Sequence, residues 1–301
     1  MCAESFSEHV IIIDAPYLGR KGVLGTYLIR GENSVLVDPG PTVSIPYIEG
    51  SLRRIGVKSE TLRFIAPTHI HLDHAAGSWR LMQAYPETRL LIHPRGSAHM
   101  VDPRRLEAGA RGLFGDAVSN YGEIRGVPEQ KVTESRDGEE VDLNGVTVKV
   151  IWTPGHSSHH QCLYVPEERT LILGDAGGHY DPVSETVMPT TPPPFNPVKA
   201  VESIDRLISL EPKILCYGHF GFTDNAVHRL EAHKRQIQLW SRIVEDGLKD
   251  QLVLGDIYEN IIAEDPQASR VSLVSENVER SPSVSLMGFV RYHEWMRMTV
   301  T

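Results

Sequence analysis

The chain has 301 residues, 41% hydrophobic and 23% charged, with a formal net charge of −9 and a pI near 5.9. Those proportions suit one large globular domain, or one with an appendage, and the acidic balance argues against a protein that wraps nucleic acid, whose phosphates call for a basic surface. No run approaches the roughly 18 apolar residues that span a bilayer, Met1–Glu8 has no charged-then-apolar leader, and Cys2, Cys162 and Cys216 are too few and too far apart for a disulfide framework; a cytoplasmic location without a membrane partner is expected.

In chain order, Val10–Ile13, Tyr27–Arg30 and Ser34–Val37 read as strands, the last two a hairpin turned by Gly31-Glu32-Asn33. Asp38, in Leu36-Val37-Asp38-Pro39-Gly40, either stabilises its Pro-Gly turn or accepts a hydrogen bond from a ligating His. Tyr47–Ile55 carries the apolar face of a helix. Arg63–Pro67 reads as a buried strand that ends before Thr68-His69-Ile70-His71-Leu72-Asp73-His74, and a helix from about 76 to 84 follows. Arg89–His93 is a further strand, with His93 an ordinary strand-end residue. From 94 to 129 Gly, Arg and helix formers dominate, giving a helical insertion in which Asp102 can cap a helix starting at Pro103. The insertion either shapes a wall of the site or fills surface.

The second half repeats the pattern. Glu139–Leu143 and Val146–Trp152 form a hairpin around Asn144-Gly145 and deliver Thr153-Pro154-Gly155-His156. Gln161–Val165 and Thr170–Leu173 end in Gly174-Asp175, a faint echo of the hairpin that ends in Asp38. The Pro-rich run from Asp181 to Pro197 reads as a stiff extended loop. A helix over Val198–Leu210, a buried strand Ile214–Tyr217 leading to His219, and a long amphipathic helix over Asp224–Leu248 follow, with His228 and His233 solvated on it. The tail mixes short helical runs with Ser-rich loop. Strand-then-helix units in both halves imply two mixed sheets face to face with helices outside, an αββα sandwich. Residues 1–222 would form the main domain, with 94–129 as its insertion and 223–301 as a helical extension packed on the core or between the subunits of a homodimer.

The stretch His69-Ile70-His71-Leu72-Asp73-His74 puts four metal-ligand types within six residues. At a strand end, residues two apart share a face, so His69 and His71 can point at one ion, while Asp73 and His74 leave the turn in another direction. Imidazole and carboxylate in this mixture suit zinc and related divalent ions.

That motif resembles the signature of the metallo-β-lactamase-fold hydrolases. The resemblance extends to Leu-Val-Asp-Pro-Gly at 36–40, Thr-Pro-Gly-His at 153–156, Leu-Gly-Asp at 173–175 and Gly-His at 218–219, and runs from about residue 10 to 222. It implies that His69, His71 and His156 hold one ion, that Asp73, His74 and His219 hold another, and that Asp175 bridges them. Asp73 would also serve the chemistry, and Asp38 and His160 would support the ligands. Two divalent ions, zinc foremost with Fe, Mn, Co or Ni as alternatives, can share a hydroxide when about 3.5–4 Å apart.

Departures from the pattern narrow the branch. Asp175 stands where the zinc β-lactamases carry Cys, and His71 where flavodiiron proteins carry Glu. The ligand pattern is similar to that of glyoxalase II and the N-acyl-homoserine lactonases, yet Gly178 stands where the lactonases carry Tyr. His179 and Tyr180 are then the candidates to donate a hydrogen bond to a substrate oxyanion or to protonate a leaving group. His159, in Ser157-Ser158-His159-His160, marks a subgroup. The expected function is hydrolysis of a small-molecule ester, lactone, thioester or phosphoester. The alternatives are a persulfide-dioxygenase-like enzyme with one iron on His69, His156 and Asp175, and a nuclease of the same fold.

Overall fold

In the computed structural model, which describes residues 3–271 and 282–300, two mixed sheets pack face to face. The first holds β1 (Ala3–Ser5), β2 (Val10–Asp14), β3 (Gly25–Arg30), β4 (Ser34–Val37), β5 (Leu62–Ala66), β6 (Arg89–Ile92) and β7 (Val132–Glu134) in sequence order. Its pairing is antiparallel as far as β4 and parallel from there to β7. The second sheet is built from β8 (Glu140–Asp142), β9 (Thr147–Trp152), β10 (Gln161–Val165), β11 (Thr170–Gly174), β14 (Ile214–Tyr217) and β15 (Phe222–Thr223), in the order β15-β14-β11-β10-β9-β8. A separate hairpin, β12 (His179–Asp181) and β13 (Thr186–Met188), stands within the stretch read from sequence as an extended loop.

Strand alternation divides the apolar residues between three layers. Val35 and Val37 enter the core between the sheets with Val148, Val150, Leu163, Val165 and Ile172. Leu36, between them in sequence, faces outward onto Ile45, Ile48 and Leu52 of α1 (Ile45–Ile55). Both faces of these strands are covered, which is why β4, β10 and β11 are buried at every residue and read as continuous apolar runs.

On the far side, α6 (Pro197–Ile208) and α7 (Ala226–Lys249) cover sheet two: Ile204, Leu207, Leu230, Ile237 and Trp240 share a core with Leu171, Leu173 and Leu215. Ile257 and Ile261 of α8 (Leu254–Glu264), Ala268 of α9 (Pro266–Val271) and Phe289 of α10 (Pro282–Val300) join the same core. The described helices after residue 223 therefore form the outer helical layer over the second sheet. Cys2 and the Ser-rich part of the tail lie outside the described residues.

The parallel pairs place the site. β4 and β5 run together in one sheet, β11 and β14 in the other, so Asp38, His69, Asp175 and His219 all follow strand carboxyl ends at one edge of the sandwich. The helix expected over 76–84 forms over 78–84, and a separate short helix precedes it. The short α2 (Leu72–Ala75) carries Asp73 and His74, and α3 (Ser78–Ala84) begins after Gly77. In the insertion, Asp102 ends α4 (Pro94–Val101) and does not cap α5 (Arg104–Phe114) as expected: Pro103 holds the N-cap position, and Asp102 Oδ1, one residue further out, accepts from Arg104 N at 3.3 Å.

Candidate metal centre

Three imidazoles and one carboxylate form the first donor set. His71 Nδ1 lies 2.9 Å from His69 Nε2 and 3.0 Å from His156 Nε2, and Asp175 Oδ2 stands 3.6 Å from His156 Nε2. One N–H can satisfy one of those approaches to His71, and a cation amid the donors would satisfy both together. Ligands bound tetrahedrally to zinc stand about 3.3 Å from one another, given bonds near 2.0 Å, so the spacing fits an ion.

The second set faces it across Asp175. Asp175 Oδ1 is 3.3 Å from both His74 Nε2 and His219 Nε2, and Asp73 Oδ2 is 3.5 Å and 3.8 Å from the same two nitrogens. His74 Nε2 and Asp175 Oδ1 are buried with no hydrogen-bond partner, a costly state for polar atoms that a bound cation would relieve. Each group has the ligand types and closeness to hold a metal ion. A β-carbon at residue 218 would come within 2.7 Å of His74 Cε1, so Gly218 is what lets the two halves close on each other here.

Groups behind the donors fix their orientation. Asp38 is buried and reaches both sets: Oδ2 accepts from His74 Nδ1 at 3.0 Å, and the carboxylate also accepts from the Thr68 backbone N–H and hydroxyl. Thr68 Oγ1 in turn lies 3.1 Å from His69 Nδ1. Each ring thus spends one nitrogen on the scaffold and turns the other to the site. His156 does the same, donating from Nδ1 to Thr190 O at 2.6 Å. His160, fully buried and with its ring centroid 5.1 Å from that of His69, accepts the Asp175 backbone N–H at 3.2 Å.

The two sets differ in charge. Burial drives His69 far below the usual imidazole range, His71 down to about 3, and His156 down as well. For His74 and His219 burial pulls the same way. The carboxylates Asp73 and Asp175, joined by Asp38 for His74, outweigh it and raise both. Burial would raise Asp73 and Asp175, and the facing imidazoles, chiefly His74 and His219, hold both well below the carboxylate range instead.

The seven ligand candidates, with Asp38 and His160, therefore come together. His179 is partly exposed beside them, its ring 5.0 Å from that of His219. The alternation of β12 turns Tyr180 the other way, into the outer core and onto the ring of Tyr217 at 4.8 Å. A part for Tyr180 in the reaction does not fit that placement. His233, read as solvated, is also corrected. It is 3% exposed, because it belongs to the inward stripe of α7 with Gln236, Ile237 and Trp240. Gln236 Nε2 donates to Val187 O and Asp265 Oδ2, which leaves its carbonyl to accept from His233 Nδ1 at 3.3 Å. His233 lines a narrow pocket with His156, Asp175 and Thr190. The i, i+3, i+4, i+7 spacing of that stripe was the available signal. His93 ends β6 as expected, and also caps α4 by accepting from Arg95 N at 3.0 Å. His159 stays at the rim, its ring 6.3 Å from that of His71.

A model of the family described as the Metallo-beta-lactamase superfamily matches residues 25–219. The metallo-beta-lactamase fold-containing protein ST1585 of Sulfurisphaera tokodaii is 30% identical over 216 residues, 70% of this chain and 77% of that one. The probable metallo-hydrolase MJ0888 of Methanocaldococcus jannaschii is 28% identical over 150 residues, 50% of this chain and 65% of that one. The metallo-beta-lactamase family protein TTHA1429 from Thermus thermophilus superposes with a TM-score of 0.69 at 20% identity, covering 97% of this chain and 95% of that one. At such identity the likeness speaks for the fold.

Proposed function

We propose a reaction from one premise: the chain belongs to the metallo-beta-lactamase superfamily. It is a metal-dependent hydrolase that uses two divalent ions, zinc foremost, to cleave a small-molecule ester, lactone, thioester or phosphoester. The observation that carries this reading is the division of Asp175, whose Oδ2 faces His156 of one donor set while Oδ1 faces His74 and His219 of the other. Ions bound there would polarise a carbonyl or phosphoryl oxygen and lower the pKa of water to about 7.

The chain's own groups complete the chemistry. The first set offers lone pairs without first losing protons, because burial keeps its imidazoles neutral. Asp73 is ionised and, at 19% exposed, the most open carboxylate of the site. We assign to it the part of accepting a proton from the attacking water. His179 donates a hydrogen bond to the oxygen that gains charge. A dioxygenase with one iron on the first set is the alternative, and metal content with oxygen uptake separates the two.

The test is a panel of aryl esters, lactones, S-lactoylglutathione and phosphodiesters, offered to protein reconstituted with zinc, manganese or iron. Metal content and oxygen consumption are measured alongside. Turnover of one of these bonds with about two ions per chain and no oxygen uptake is expected. One iron per chain with oxygen uptake would overturn it.

A further inference from the structure

Behind Asp175, on the side away from the donors, a ring of hydrogen bonds closes on the turn that presents it. The Asp175 N–H donates to His160 Nε2 at 3.2 Å, and His160 Nδ1 lies 2.7 Å from Thr153 Oγ1. Thr153 Oγ1 is 3.3 Å from Cys162 Sγ, and Cys162 Sγ donates to Leu173 O at 3.4 Å. Leu173 and Asp175 flank Gly174, so the ring closes two residues before its start, across Gly174. Gly174 has φ +52° and ψ −135°, and a β-carbon on it would fall 2.3 Å from Thr68 Oγ1 and 2.9 Å from His160 Nε2.

The direction of every bond follows from the two ends. A backbone N–H can only donate and a backbone carbonyl can only accept. His160 Nε2 must therefore accept, which puts the ring proton on Nδ1 and points it at Thr153. The Thr153 hydroxyl, having accepted, donates to sulfur, and the thiol donates to Leu173 O. A doubly protonated His160 would break the ring at its first link. Thr153, His160 and Cys162 are at most 1% exposed, so no water can replace a lost partner, and each broken link strands a buried polar group. Burial also pushes the Cys162 thiol up to about 12, which keeps it a donor.

We propose that Thr153 and Cys162 are positioning residues for Asp175: through His160 they clamp the turn at Gly174, so that one carboxylate can give an oxygen to each donor set. The proposal rests on the reading of Asp175 as a shared ligand. Partners of this kind change metal affinity by about 10- to 100-fold when removed.

Zinc affinity by competition with a chromophoric chelator, and the visible spectrum of the cobalt-substituted protein, are compared among the parent, T153V, T153S, C162A and C162S. Circular dichroism monitors the fold. T153V, which cuts two links, is expected to lose about 10- to 100-fold in affinity and to shift the cobalt bands. C162A is expected to lose less, in the same direction. T153S and C162S, which keep a donor and an acceptor, are expected to restore both readouts. Folded T153V and C162A with the parent's affinity and spectrum would overturn the proposal.

A second measurement needs no substitution. Nitrogen NMR of the parent is expected to show His160 as the Nδ1–H tautomer with a slowly exchanging ring proton. The Nε2–H tautomer would overturn the ring even if the valine and alanine variants fail to fold. A parent that binds no zinc sinks the metal reading and the proposal with it; a parent that binds zinc beside unaffected variants overturns the ring alone.

Discussion

The two donor sets sit side by side, share Asp175, and carry opposite demands on protons. His69, His71 and His156 are neutral because burial forbids their charge. His74 is just as enclosed and His219 somewhat less so, yet both hold protons more tightly than free imidazole, since Asp73 and Asp175 face them and Asp38 stands behind His74. The lesson is that ligand count alone does not describe a site. The first set is ready for a cation, whereas the second attracts one but must give up protons to take it.

Removing the shared member should erase the contrast. Asp175→Ala is expected to weaken both sets together, abolish turnover and leave the fold intact by circular dichroism. His69→Ala should abolish turnover through the first set alone and spare metal at the second. Metal content per chain separates the two outcomes. Metal loss from one set only in Asp175→Ala would break the sharing argument.

Asp38 comes next, because it reaches His74 directly and His69 through Thr68. Asp38→Ala should cost about 10- to 100-fold in metal affinity at both sets. It should also cost about 2–4 kcal/mol in stability, as a buried carboxylate's partners lose their acceptor. Chelator competition and urea unfolding read the two effects.

The proton contrast gives a pH experiment. Between about pH 6 and 8 the first set is already deprotonated, so its metal affinity should be nearly flat, while the second should tighten as protons leave His74 and His219. The metal-free fold has its own dependence. Unfolded imidazoles titrate near about 6.5, and groups with lowered folded values contribute stability that is present above that pH. This contribution is lost as pH falls toward the folded values, about 3 for His71 and about 4 for His159 and His233. His74 and His219 oppose it, since a raised folded value stabilises at low pH and fades as pH climbs through it. The lowered group is larger, so the metal-free midpoint should fall between about pH 6.5 and 4. A midpoint that rises over that span would contradict the assignment.

Much of this is legible in sequence for a physical reason. Strands covered on both faces appear as unbroken apolar runs, and ligands at strand ends appear as polar residues just after them, as with Val37 then Asp38, or Tyr217 then His219. What stays hidden depends on side chains meeting across the fold. Thr68 and Cys162 carry no pattern of their own, and their roles exist only because Asp38 and Leu173 lie opposite. His233 misleads because a polar residue on a long helix looks solvated until the apolar stripe around it is counted. Tyr180 misleads because, beside a Pro-rich run, the two-residue period of a short strand is not apparent.

That strand supplies the smallest effect. His179 and Tyr180 are adjacent, and β12 sends one toward His219 and the other into the core. His179 stands beside the second set, so His179→Ala should lower kcat by about tenfold, below the usual range for a positioned proton donor because it only donates a hydrogen bond, and leave metal content unchanged. Tyr180→Phe keeps the stacked ring and should leave kcat within about twofold, losing at most about 1 kcal/mol of stability with its hydroxyl. Steady-state kinetics on whichever substrate the panel identifies, with metal counted in the same samples, decides between them. Equal effects of the two substitutions on kcat would mean that proximity to the second set does not matter, and that the two sets are less distinct in the reaction than their charges make them.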